Sequence, residues 1–105
     1  MSESMLVHSI MQELGKSGAV FRCNAGTFYT RSGQRVSGLP AGFSDILYVG
    51  SDGVACFIET KIAPNKPSPE QSAFIEKMQK LGCRAGVAFS VNDALKICGL
   101  NQERN

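Results

Sequence analysis

Apolar and polar positions alternate along this chain with two periods. In the first segment Leu6, Ile10 and Leu14 recur every four residues, flanked by Val7 and Met11. That single apolar stripe predicts a helix from Glu3 to Lys16, ended by Gly15 and Gly18. Short β-prone stretches follow at 19–23 and 27–30, separated by "NAG". Residues 31–42, "RSGQRVSGLPAG", are rich in glycine and predict an exposed, mobile loop. The stretches 43–49 and 54–61 read as two strands joined by the turn "GSDG" at 50–53, a hairpin. The second is apolar on both faces as far as Ile58, the pattern of a central, covered strand.

Residues 68–82 give the clearest helix. Ser68 is the predicted N-cap, Pro69 takes the first helical position, and Gln71 completes a capping box. Phe74, Ile75, Met78 and Leu81 form its apolar face, and Gly82 stops it. A buried strand at 84–90 and a short helix at 90–99, with Ser90 and Asp93 as a second box, complete the pattern. A strand, a helix and a strand in this order form a crossover that makes strands 54–61 and 84–90 parallel. The order predicts an α/β class: a mixed central sheet flanked by helices, in one domain spanning 1–105. The aromatics Phe21, Phe28, Tyr29, Phe43, Phe57, Phe74 and Phe89 are expected in the core, with Tyr29 the one candidate for stacking on a base.

Composition narrows the classes. With 105 residues, 43% hydrophobic and 19% charged, the chain can bury a small core and is not a disordered tail. No apolar run has the roughly 18 residues of a membrane span. The acid-bearing N-terminus lacks the basic start of a signal peptide. A net charge of +2 permits nucleic-acid binding without requiring it. Four cysteines without a CxxC pair, beside the single His8, disfavour zinc; Cys56 and Cys83 read as reduced core residues, and the expected location is cytoplasmic.

The chemistry concentrates in "FIETKIAPNKPSPEQ", residues 57–71. Glu59 and Lys61, at i and i+2 of one strand, project to the same face. The hairpin register sets Asp45 opposite residues 58–59, about 5 Å from Glu59. Two carboxylates that close raise each other's pKa, and a cation resolves the conflict. Mg²⁺, a hard ion, takes one or two carboxylates with water and substrate phosphate. On the same face Lys61 is placed to orient or activate a water. Glu13 lies roughly 90° from the centre of the helix stripe and is a candidate third carboxylate. The blander alternatives are a solvated Glu59–Lys61 ion pair worth under ~1 kcal/mol and a purely structural Gln71.

The segments "GFSDILYV", "GVACFIETK" and "PSPEQSAFIEKMQKLGCRAGVAFS" together resemble the virus-type replication-repair nuclease (VRR-NUC) domain, a branch of the PD-(D/E)XK phosphodiesterases, over roughly residues 5–98. The resemblance implies a restriction-endonuclease-like αβββαβ core and Mg²⁺- or Mn²⁺-dependent cleavage of DNA. By match, Asp45 fills the family's Asp, Glu59 and Lys61 its E-x-K, Gln71 the glutamine of the following helix, and Glu13 the acid of the first helix. The implied roles are catalysis by Asp45, Glu59, Lys61 and Gln71, and metal binding by Glu13, Asp45, Glu59 and the Thr60 carbonyl. Ser44 stands where the superfamily motif has proline, and Thr60 where a bulky apolar residue is usual. Arg31, Arg35 and Lys66 are the expected DNA contacts, with Arg22, Lys77 and Lys80 as further cations. Branched DNA cut by a homodimer is the expected substrate and assembly. The alternatives are a flap or single-strand nuclease, or a nucleic-acid-binding module without catalysis.

Overall fold

A computed structural model describes residues 1–100. Its elements are α1 (Glu3–Leu14), β1 (Ala19–Arg22), β2 (Thr27–Tyr29), β3 (Arg35–Ser37), β4 (Ile46–Val49), β5 (Ala55–Thr60), α2 (Pro69–Lys80), β6 (Arg84–Ala88) and α3 (Val91–Ile97). β1, β4, β5 and β6 form a four-stranded sheet in that order, antiparallel except for the β5–β6 pair. The crossover through α2 thus joins parallel strands, as its length permits.

Side-chain alternation along β5 divides the interior into two layers. Cys56 and Ile58 join Leu6, Val7, Ile10 and Leu14 of α1, Ile46 and Tyr48 of β4, and Ala94 and Cys98 beside α3 in one apolar core. Phe57 faces the other way, toward α2, where its ring meets Phe43 and Phe74 at centroid separations of 5.7 and 5.3 Å. Phe43 and Phe74 themselves lie 4.6 Å apart. Glu59 shares the face of Phe57, so it emerges beneath the first turn of α2.

The turn after α1 is held by close approach. A Cβ on Gly18 would lie 2.5 Å from the Val49 carbonyl oxygen and 2.9 Å from the Gly50 Cα, so only glycine lets α1 close onto β4. Ser17 Oγ and the Tyr48 hydroxyl hydrogen-bond at 2.9 Å beside it. Gly18→Ala is expected to destabilise the fold by roughly 2 kcal/mol or more, since backbone must move to admit the methyl group; a thermal unfolding midpoint checks this.

The fold departs from the sequence expectations in three places. Residues 31–42 are not one loop: they contain β3, which pairs with β2 through Thr27↔Ser37, Phe28↔Val36 and Tyr29↔Arg35. Phe21, Phe28, Tyr29 and Phe89 are exposed and do not join the core, and Leu81 lies outside the buried face of α2 at 68% exposure. Hydrophobic identity marks what can be buried; the packing partners decide what is. In α3, Ser90 Oγ accepts from the Asp93 N–H, but the Asp93 carboxylate returns to the Phe89 N–H, one residue before the cap.

Candidate active site

The site forms where β4 begins and β5 ends. The ladder runs to Ile46↔Ile58, and Asp45 stands one residue beyond it. Its Oδ2 accepts the Thr60 backbone N–H at 2.9 Å, while its own carbonyl accepts from the Cys23 N–H at 2.7 Å. Within a strand a residue's N–H and C=O point to the same side, so the Thr60 carbonyl also turns toward Asp45.

Glu59 is 1% exposed. Its Oε2 accepts a hydrogen bond from Gln71 Nε2 at 2.9 Å and lies 3.6 Å from Lys61 Nζ. Its Oε1 is buried without a partner. Burial first, and then the charge of Asp45, push the Glu59 carboxyl up to about 7, against the opposing pull of Lys61. Ser44 Oγ and Thr60 Oγ1 are also buried and unpartnered. Among the described residues, the buried side-chain oxygens lacking a partner all fall beside this strand end. Such groups are costly unless they have a use.

Gln71 serves two structures at once. Its Oε1 accepts from the Ser68 N–H at 2.8 Å, and Ser68 Oγ accepts from the Gln71 N–H at 3.1 Å. This is the capping box expected from the sequence, and the same amide's Nε2 reaches Glu59. One side chain thus both closes the capping box and contacts Glu59.

Glu13 is a correction. It forms a surface ion pair with Lys16 at 3.0 Å near the end of α1. Gly18 seats that end against Val49 and Gly50, at the far end of β4 from Asp45. The wheel angle gave the direction of Glu13 around the helix and not its position along it. The α1 acid whose charge reaches Glu59 is Glu3, in the first turn. Arg31, Arg35 and Lys66 are exposed; the first two lie on the β2–β3 hairpin and Lys66 in the loop before α2. Arg22 is drawn to the site more closely than expected. Its Nη1 donates to the Cys23 and Asp45 carbonyls at 3.0 and 3.1 Å and sits 3.5 Å from Asp45 Oδ1. Only the non-local pairing of β1 with β4 brings it there, so no local sequence signal marks it.

The donor set suits a hard divalent cation. It offers the Asp45 and Glu59 carboxylates, with one Glu59 oxygen unengaged, and the Thr60 carbonyl on the same side. Among the described residues no three His, Cys, Asp or Glu side chains gather in one place, so any further ligands would be water or phosphate oxygens.

The mixed sheet flanked by helices is an α/β fold, with an acid just before one strand and an acid-x-lysine at the end of its neighbour. More particularly, the chain has the fold of a VRR_NUC domain. A solved structure described as "VRR_NUC domain" superposes with a TM-score of 0.66 at 22% identity, covering 92% of this chain and 94% of that one. No protein-family model and no curated protein matches the sequence.

Proposed function

We propose that this chain is a metal-dependent DNA endonuclease that hydrolyses phosphodiester bonds in branched DNA. The observation that carries the reading is Glu59: a buried carboxylate with one oxygen engaged and one unengaged, between Asp45, Lys61 and Gln71. Asp45, Glu59 and the Thr60 carbonyl would hold Mg²⁺ or Mn²⁺. When bound, that ion supplies Lewis-acid charge at the phosphoryl oxygens. Lys61, only 16% exposed at its side chain, orients the attacking water and sets positive charge beside the pentavalent phosphorus. Gln71 holds Glu59 in place and is a positioning residue. Arg22 presents a guanidinium to a phosphate at the same edge.

The superposed VRR_NUC domain and the capped N-terminus of α2 facing the loop after Lys61 support phosphate as the group recognised. In this reading the acting form is a two-fold homodimer, because two symmetric sites nick a two-fold junction in pairs. The products are a 5′-phosphate and a 3′-hydroxyl.

The test is a panel of end-labelled duplex, flap, fork and four-way-junction DNA, with Mg²⁺ or Mn²⁺ and with chelator. The expected result is cleavage near the branch that chelator abolishes. Cleavage that survives chelator, or none on any substrate, overturns the reading.

A further inference from the structure

The β2–β3 hairpin stands apart from the main sheet and carries exposed apolar surface. Phe28, Tyr29, Val36 and Leu39 are between 37% and 69% exposed. The ladder pairs Phe28 with Val36 on one face and Tyr29 with Arg35 on the other. The Phe28 face closes over a cavity of about 280 Å³ that Arg22, Asn24, Phe43, Asp45 and Gln71 also line. An aromatic residue therefore lines one cavity with Asp45 of the candidate active site. From Ala19 to Ser44 the chain contains three arginines and no acidic residue.

We infer that this cavity receives an unstacked nucleobase, with Phe28 as its stacking wall, beside the phosphate presented to Asp45 and Glu59. The inference rests on the nuclease reading for its substrate and adds the kind of DNA involved. The cavity, about 280 Å³, has room for a nucleobase. Both faces of a base inside a duplex are covered by its neighbours. Phe28 can stack only on a base that has left the helix, as at a branch point, a flap or a single strand. Arg22, Arg31 and Arg35 supply the charge complement of the flanking phosphates. A second copy of this chain is a poor occupant. In a two-fold contact the hairpin meets itself, which sets Arg31 and Arg35 against their own copies.

The experiment compares wild type, Phe28→Leu and Phe28→Tyr. Leucine keeps an apolar contact with the hairpin but removes the aromatic face; tyrosine keeps the face. Binding is measured in chelator, so that hydrolysis cannot intervene. The probes are a fully paired duplex and the same duplex with one unpaired 2-aminopurine at a branch. Phe28→Leu is expected to weaken binding of the unpaired probe by about 5- to 150-fold, the range of one base–aromatic stack. It should also remove the fluorescence change of the 2-aminopurine while leaving duplex affinity as it was. Phe28→Tyr should behave as wild type. Equal affinities for wild type and Phe28→Leu overturn the inference, as does an equal loss on both probes. A change of sedimenting mass in Phe28→Leu with no change in probe preference overturns it in favour of a contact between copies. Cleavage with Mn²⁺ is scored separately. A wild type that discriminates the probes but cuts nothing defeats the nuclease reading and supports the base cavity; one that cuts the branched probe but binds both probes alike does the reverse.

Discussion

Lys61→Ala is expected to lower the rate of DNA cleavage by about 100- to 1,000-fold while leaving the fold intact. Lys61 follows the last residue of β5, its backbone N–H still donates to the Ala88 carbonyl at 3.0 Å, and its side chain is largely enclosed. The ammonium lies 3.6 Å from Glu59, and its charge is what lowers the Glu59 pKa against burial and Asp45. Alanine removes the cation that the proposed mechanism sets beside the attacking water, and with it part of the force that keeps Glu59 ionised. The backbone bond to Ala88 survives, so circular dichroism and gel filtration should match the wild type. Single-turnover cleavage at saturating metal separates chemistry from binding, and an undiminished rate would take Lys61 out of the reaction.

Glu59→Gln should make the metal-free protein more stable near pH 8 and abolish cleavage. The sign follows from the direction of the shift. The folded-state pKa, about 7, lies above the ordinary 4.5, so the folded state holds the proton more tightly than the unfolded chain does. Stability from this group is fully present below about pH 4.5 and is lost as the pH rises through about 7. At 1.36 kcal/mol per pKa unit the loss is about 3 kcal/mol, an order-of-magnitude figure. Glutamine has the shape of the protonated acid and can still accept from Gln71, so its stability should be flat over the same window. Urea unfolding of both proteins in chelator, at about pH 5.5 and about pH 8, measures this. Added Mg²⁺ or Mn²⁺ should restore the wild type at the higher pH and leave the variant unmoved. Parallel pH profiles for the two proteins would show that the buried charge is not what costs the wild type its stability.

Local chemistry made much of this molecule legible. Ser68, Pro69 and Gln71 define the start of α2 to the residue, because a capping box is satisfied within four positions. The glycine turn at 50–53 sets the β4–β5 register, and that register is why Asp45 and Glu59 meet. What depends on distant packing was not legible. Glu13 and Glu3 lie on one helix, and the Gly18 contact with β4 decides which of them approaches the site. Phe21 and Phe28 carry the same side chain as Phe57, but β1 is an edge strand and β2 stands off the main sheet, so both rings are only partly covered. Arg22 reaches Asp45 only through a strand pairing that spans more than twenty residues.

The double engagement of the Gln71 amide has a consequence for timing. A free glutamate side chain has up to about 2 kcal/mol of rotamer entropy to lose when it is fixed. Here the bond that starts α2 also orients Glu59, so that disorder is removed as the chain folds, before any ion or DNA arrives. An incoming ligand meets a carboxylate already aimed, and its affinity is not reduced by the work of ordering it.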